Sequence, residues 1–207
     1  MIPSRSAGAR MLVVEGADDE HVIRHVCEQS LSELEFDVAQ IGGIANLSAE
    51  IEAHAKVVGR SSLGVVVDAN ADIASRWQSI RDAFGRAQIE LPSGPDGQGT
   101  VVQSRLAGVP RVGVWLMPDN TNSGELEDFL ARIIPAGDPV WPLAQDYVQQ
   151  VESIEALSKP AKSRIHSWLA VRTEGGRLGT SIRAGAFDLQ QAAAQSFLTW
   201  LRRVFPT

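Results

Sequence analysis

Short apolar runs alternate along the chain with stretches whose apolar residues recur every three or four positions. Residues 11–15, MLVVE, form a compact apolar run ending in an acid, the pattern of a strand buried on both faces. Gly16 breaks the run, and 17–31 then places Val22, Ile23, Val26, Cys27 and Leu31 on one helical face. FDVAQI (36–41), a Gly42-Gly43 turn and a helix over 48–58 repeat the order. LGVVVDA (63–69) is the clearest buried strand, β-branched and again ending in an acid, and Ile73, Trp77, Ile80 and Phe84 mark the helix after it. Over 87–104, QIEL and TVVQ flank PSGPDGQG, whose Gly and Pro content predicts an irregular hairpin. RVGVWLM (111–117) reads as a strand, PDNTNSG as a polar loop, and ELEDFLARII as a short amphipathic helix stopped by Pro135.

Strand alternating with helix predicts an α/β fold, a mostly parallel central sheet flanked by helices. Beyond Pro135 the pattern turns helical. Tyr147, Val148, Val151 and Ile154 mark one helix and 160–171 a second. After the Gly-rich TEGGRLGT segment, Asp188 with Gln191 three residues on predicts a capped last helix reaching Phe205. The expected division is an α/β domain over 10–135 and a helical C-terminal extension over 136–207 packed on it. Phe197, Trp200, Leu201 and Phe205 in that extension carry enough apolar surface to suggest a homo-oligomer.

Composition narrows the function classes. A single cysteine, Cys27, excludes an internal disulfide framework and a Cys-rich zinc site, and it reads as a small core residue on its helix face. The first ten residues lack the apolar core of a signal peptide, and no apolar stretch approaches the roughly 20 residues of a membrane span. A cytoplasmic protein without membrane partners is expected. The formal net charge of −6 argues against a strong stand-alone nucleic-acid binder, because such modules usually carry a basic stripe. A polyanionic substrate would need divalent cations or a basic partner to offset repulsion.

The candidate chemistry lies in the acids that follow predicted strands. Glu15 follows MLVV, Asp68 follows LGVVV, and Asp119 follows VWLMP. In an open α/β sheet the carboxyl ends of the strands meet in the crevice where ligands bind. Carboxylates gathered there repel one another, and a hard cation such as Mg²⁺ relieves the conflict. Each acid also has a structural reading. Asp18, Asp19 and Glu20 suit a helix N-terminus, Asp119-Asn120 suits a turn, and Glu125, Glu127 and Asp128 suit a first helical turn. Glu15 and Asp68 are harder to explain that way, because a charge directly after a buried strand needs a partner. His21 and His25 lie four apart on a helix but lack the glutamate of a zinc-peptidase motif, so they read as surface or boundary residues. Trp115 and Trp168 are the tryptophans to consider for base stacking.

VVEGADDEHVIRHV, followed roughly fifty residues later by VVVDANAD, resembles the two signature motifs of the Toprim fold found in primases, topoisomerases and OLD-family (overcoming lysogenization defect) nucleases. Glu15 matches the glutamate of that pattern, Glu15 with Asp19 fits the E-x-x-x-D spacing of OLD-like members, and Asp68 matches the first acid of D-x-D. Asn70 stands at the second position, a departure that adds no negative charge. GVWLMPDNTNSGELEDFL is similar to a segment of an uncharacterised prokaryotic family of small Toprim-related proteins close to the OLD group, as are WLAVRTEGGRLG and FLTWLRRVF. The Toprim resemblance spans roughly 10–134 and the narrower one nearly the whole chain.

The resemblance implies a Toprim-like sheet and Mg²⁺- or Mn²⁺-dependent phosphodiester chemistry on DNA or RNA. Glu15 and Asp68 would be catalytic, Glu15, Asp19, Asp68 and Asn70 would be metal ligands, and Glu127 and Asp119 would be candidates at a second position. A different class of function stays open, a catalytically weak or inactive Toprim-like binding or regulatory module. No G-x-x-x-x-G-K-[ST] occurs, so such a module would act with a separate ATPase partner.

Overall fold

The computed structural model describes residues 8–104, 106–172 and 177–207. Positions 173–176 of the Gly-rich TEGGRLGT segment therefore lie outside the described residues. Among the described residues five strands form one sheet: β1 (Arg10–Val14), β2 (Asp37–Gln40), β3 (Ser62–Asp68), β4 (Thr100–Val102) and β5 (Arg111–Met117). Their spatial order is β2-β1-β3-β5-β4. β1 runs parallel to β2 and β3, and β3 parallel to β5, while β4 adds an antiparallel edge. The helices are α1 (Ala17–Ser30), α2 (Leu47–Ala55), α3 (Ile73–Arg86), α4 (Leu126–Ala131), α5 (Val140–Glu152), α6 (Pro160–Ala170), α7 (Leu178–Arg183) and α8 (Ala192–Val204). The result is an α/β fold with a mostly parallel sheet flanked by helices and a helical C-terminal part.

The two-residue period of the strands sorts their side chains onto two cores. Val13, Leu63, Val65, Val67, Val112, Val114 and Leu116 face α2 and α3, where they meet Ile51, Trp77, Ile80 and Phe84. Leu12, Val14, Val66, Trp115 and Met117 face the other way, toward α1 and the C-terminal helices. Gly113 makes room on that second face. A Cβ there would stand 2.1 Å from a methyl of Val204, so only glycine lets α8 lie against β5.

Several expectations change at the level of packing. Residues 87–91 form no strand, and β4 pairs with β5 instead of closing a hairpin, because Ile89 and Leu91 are buried against α3's core as irregular chain. In α5 the buried face is Ala144 and Val148, while Tyr147 is 60% exposed and Ile154, in the turn past the helix end, is 86% exposed. The last helix begins at Ala192, and Asp188 bonds to the Gln190 N–H and the Gln191 amide in the preceding turn without capping it. Trp115 and Trp168 are buried, which removes them from base stacking. Phe197, Trp200, Leu201 and Phe205 are buried within the chain itself, so the apolar surface that suggested self-association is already covered. Trp200 also donates its indole N–H to the Thr100 carbonyl at 3.1 Å, tying α8 to the antiparallel edge. Each such aromatic contributes roughly 1.5–3 kcal/mol by burial. Among the described residues no helix is long and apolar enough to cross a membrane.

Candidate functional site

Parallel strands bring their carboxyl ends to one edge of the sheet, and that edge sets the site. β1 pairs with β3 through Val14 and Val66, which places Glu15 beside the end of β3. Its Oε2 accepts the Asp68 backbone N–H at 3.4 Å. α1 starts two residues after Glu15, and its buried face is Asp19, Val22, Ile23 and Val26. Asp19 thus turns inward as the polar end of an apolar stripe, while its neighbour Asp18 is exposed. Asp19 Oδ2 accepts the Gly16 N–H at 3.1 Å, and Oδ1 is buried with no hydrogen-bond partner among the described residues. From the far side α4 delivers Glu127, only 6% exposed. The Leu126 N–H, in the first turn of α4, donates to Asp68 Oδ1 at 2.9 Å.

α6 closes this arrangement with two lysines that the strand-end acids gave no reason to expect. Lys162 Nζ lies 3.0 Å from Asp18 and 3.5 Å from Glu127, and Lys159 Nζ lies 3.1 Å from Glu125. Glu15, Asp19, Asp68, Glu127, Lys159 and Lys162 line one cleft of about 450 Å³, floored in part by Gly42 and Gly43.

Burial and crowding shift the acids. Asp68 is pushed up to about 8 by burial first, then by Asp19, Glu15 and Glu127, against the opposing Leu126 N–H. Asp19 is pushed up to about 7 by burial first and then by Glu15, with the Gly16 N–H opposing. Glu127 is raised, mainly by burial, although Lys162 and Lys159 pull it down. The two lysines are raised in turn, Lys162 mainly by its bond to Asp18 and Lys159 by its bond to Glu125. Burial and crowding therefore favour the protonated forms of Asp19 and Asp68.

The structure brings together Glu15, Asp19, Asp68 and Glu127 and leaves two other candidates outside the cleft lining. Asn70 is exposed at φ +53° and exchanges both backbone hydrogen bonds with Gly124, each 2.8 Å. Asp119 is enclosed by a turn: its carboxylate accepts from the Thr121 N–H and hydroxyl and from the Asn122 N–H and amide, and Arg132 lies 2.6 Å away. Burial alone would raise Asp119, but those bonds outweigh it and hold the carboxyl far below the usual range.

The remaining acids have structural duties. Asp72 caps α3 through the Ser75 N–H at 3.0 Å, Asp128 accepts the Glu125 N–H at 2.9 Å, and Glu20 pairs with Arg24 and Gln40. Among the described residues no three His, Cys, Asp or Glu side chains already converge as a preformed ligand set. The donor chemistry nevertheless suits a hard cation, with oxygen ligands only and one buried carboxylate oxygen lacking a partner.

Among solved structures, the C-terminal region of the OLD protein of Xanthomonas campestris pv. campestris is similar to this chain at 14% identity and a TM-score of 0.46. The match covers 97% of this chain and 96% of that one. No curated protein matches. A family match does extend over residues 9–206, and the chain therefore belongs to the family described as "Protein of unknown function (DUF3226)".

Proposed function

We propose that this cleft performs Mg²⁺- or Mn²⁺-dependent phosphodiester chemistry on nucleic acid, as a nuclease-like site. The observation that carries the reading is that four carboxylates, Glu15, Asp19, Asp68 and Glu127, line one cleft from the ends of β1 and β3 and the first turns of α1 and α4. Two of the four, Asp19 and Glu127, are 7% and 6% exposed, and Asp19 Oδ1 has no partner among the described residues. Such a cluster is costly unless protons or a cation offset it.

Glu15, Asp19 and Asp68 would hold the ion, with Glu127 at a second position. Asn70 and Asp119 would join only if their turns rearranged. The ion would supply a polarised phosphate and an activated water. The chain's own groups do the rest. The Leu126 N–H holds Asp68 and the Asp68 N–H holds Glu15, which would serve as the proton acceptor. Lys159 and Lys162 bring positive charge to a cleft that must admit a phosphate on a chain of net charge −6.

The test is cleavage of single- and double-stranded DNA and RNA with Mg²⁺ or Mn²⁺, comparing the wild type with Glu15→Gln. Metal-dependent cleavage lost in the variant supports the reading. Equal activity in the variant, or none on any substrate, removes it.

One observation favours the second reading, a binding or regulatory module with little catalysis that works beside a partner such as an ATPase. Lys162 already reaches Glu127 and Asp18, a built-in cation that partly neutralises the cluster. That reading predicts no metal-dependent rise in melting temperature, whereas an ion bound only by the folded state must raise it.

A further inference from the structure

Beside the acid cleft lies a second hollow, of about 410 Å³ and opposite chemistry. Its polar wall is His21, His25, His166, Arg177 and Thr180, and it shares Ala17 and Asp18 with the cleft. The two therefore open side by side across the first turn of α1. Close helix packing builds the hollow. A Cβ at Gly179 would stand 2.8 Å from His21 Cβ and 3.0 Å from its backbone, so glycine lets α7 settle on α1. That contact holds Arg177 and Thr180 beside the two histidines of α1.

The donors in this hollow are underused. Asp18, its one shared acid, is engaged by Lys162 at 3.0 Å, and His25 Nδ1 is engaged by Glu28 at 2.8 Å. Arg177 meets its neighbours through its backbone carbonyl, which accepts from the Thr180 and Ser181 hydroxyls. Among the described residues its guanidinium has no hydrogen bond or ion pair, and neither does the His21 ring. His166 Nε2 is buried without a partner among those residues.

We propose that this hollow is a phosphate subsite, with Arg177 the principal donor and His21 and His166 beside it. In naming its ligand as a phosphate of the nucleic acid held in the acid cleft, the proposal rests on the function proposed above. A guanidinium fork matches phosphate oxygens in pairs. A polyanion crossing the carboxylate edge needs such positive groups on its flank. Among the described residues neither hollow is lined by Phe, Tyr or Trp, and the guanidinium and imidazole donors of the second hollow suit a phosphate.

The test titrates the whole, metal-free protein with inorganic phosphate while following the histidine ring resonances. Two short oligothymidylates that differ only by a 5′-phosphate are titrated alongside. Shifts at His21 and His166 are expected, and Arg177→Ala should weaken phosphate binding about tenfold. Arg177 is exposed and its side chain makes no cap at the start of α7, so the variant keeps the fold, which its melting curve checks. A response to both oligomers assigns the hollow to an internal phosphodiester, and a response only to the phosphorylated one assigns it to a strand terminus. Either supports the subsite. Unmoved His21 and His166, or equal phosphate binding by the wild type and Arg177→Ala, overturns it. Glu15→Gln keeps the two ideas separate: it should abolish cleavage yet leave the phosphate titration unchanged.

Discussion

β3 and β5 are neighbouring parallel strands, and each delivers an aspartate to the same edge of the sheet. Asp68 ends β3 and receives one backbone N–H, that of Leu126, with three other acids around it. Asp119, two residues past β5, receives four hydrogen bonds from its own turn and an ion pair from Arg132. The first carboxyl is held up at about 8 and the second is held far below its ordinary value. The same residue type at equivalent strand ends therefore has opposite roles. Asp119 is a satisfied structural group that stabilises its turn, and Asp68 is a partly buried one with a single donor to its side chain, among the described residues, against three neighbouring acids. Strand-end position marks a candidate, and the donors around it decide what it can do.

The largest expected effect exploits that contrast. Asp68→Asn should reduce any metal-dependent cleavage at least about 100-fold while raising the metal-free melting temperature at pH 8, since one buried, crowded charge is gone. Activity assays and thermal melts on the same preparation check both signs. A second effect follows from pH. Asp19 and Asp68 are raised in the folded state, so between roughly pH 4 and 8 the folded chain binds more protons than the unfolded one. Metal-free stability should fall by a few kcal/mol as pH rises through that window, and saturating Mg²⁺ should flatten the slope, as read by urea unfolding at several pH values.

Asp119→Asn should behave in the opposite sense to Asp68→Asn. Losing the Arg132 pair and the charge in its hydrogen bonds should cost about 2 kcal/mol of stability, with cleavage changed less than about threefold. Asp119 stabilises above its unfolded value and that contribution is lost as pH falls below it, so the difference from wild type should shrink in acid. The smallest effect is expected at Asn70, exposed and tied to Gly124 through its backbone alone. Asn70→Ala should cost about 1 kcal/mol or less for its positive φ and leave cleavage within about threefold.

Much of this was legible in the sequence wherever periodicity and punctuation agreed. Residues 111–117 and 63–69 announce β5 and β3 because β-branched runs end at a turn, and Trp77, Ile80 and Phe84 fix the buried face of α3. The helical phase also separates Asp19 from Asp18, since Asp19 shares its face with Val22, Ile23 and Val26. The hairpin over 87–104 failed because a buried apolar pair, Ile89 and Leu91, does not require a strand. α7 went unread because its Gly179 is there for close packing on α1, not for a turn.

Lys159 and Lys162 were missed although a signal existed. Both sit at the start of α6, whose first turn has no acid, and cations there oppose the helix dipole. A pair so placed requires compensation from elsewhere, which the acids of α1 and α4 supply. The destinations of Asn70 and Asp119 were not legible, because a turn's direction depends on partners, Gly124 and Arg132, that only the folded chain assembles.

The central claim, that the cleft around Asp68 is a divalent-cation site kept protonated in the free protein, is most directly tested by calorimetric titration of Mn²⁺. Wild type and Asp68→Asn would be compared at pH 6.5 in two buffers of different ionisation enthalpy. Saturable binding by the wild type, with release of about one to two protons, is predicted, along with at least about tenfold weaker binding and less proton release in the variant. Absence of Mn²⁺ binding, or equal affinity in both proteins with no proton released, would contradict it.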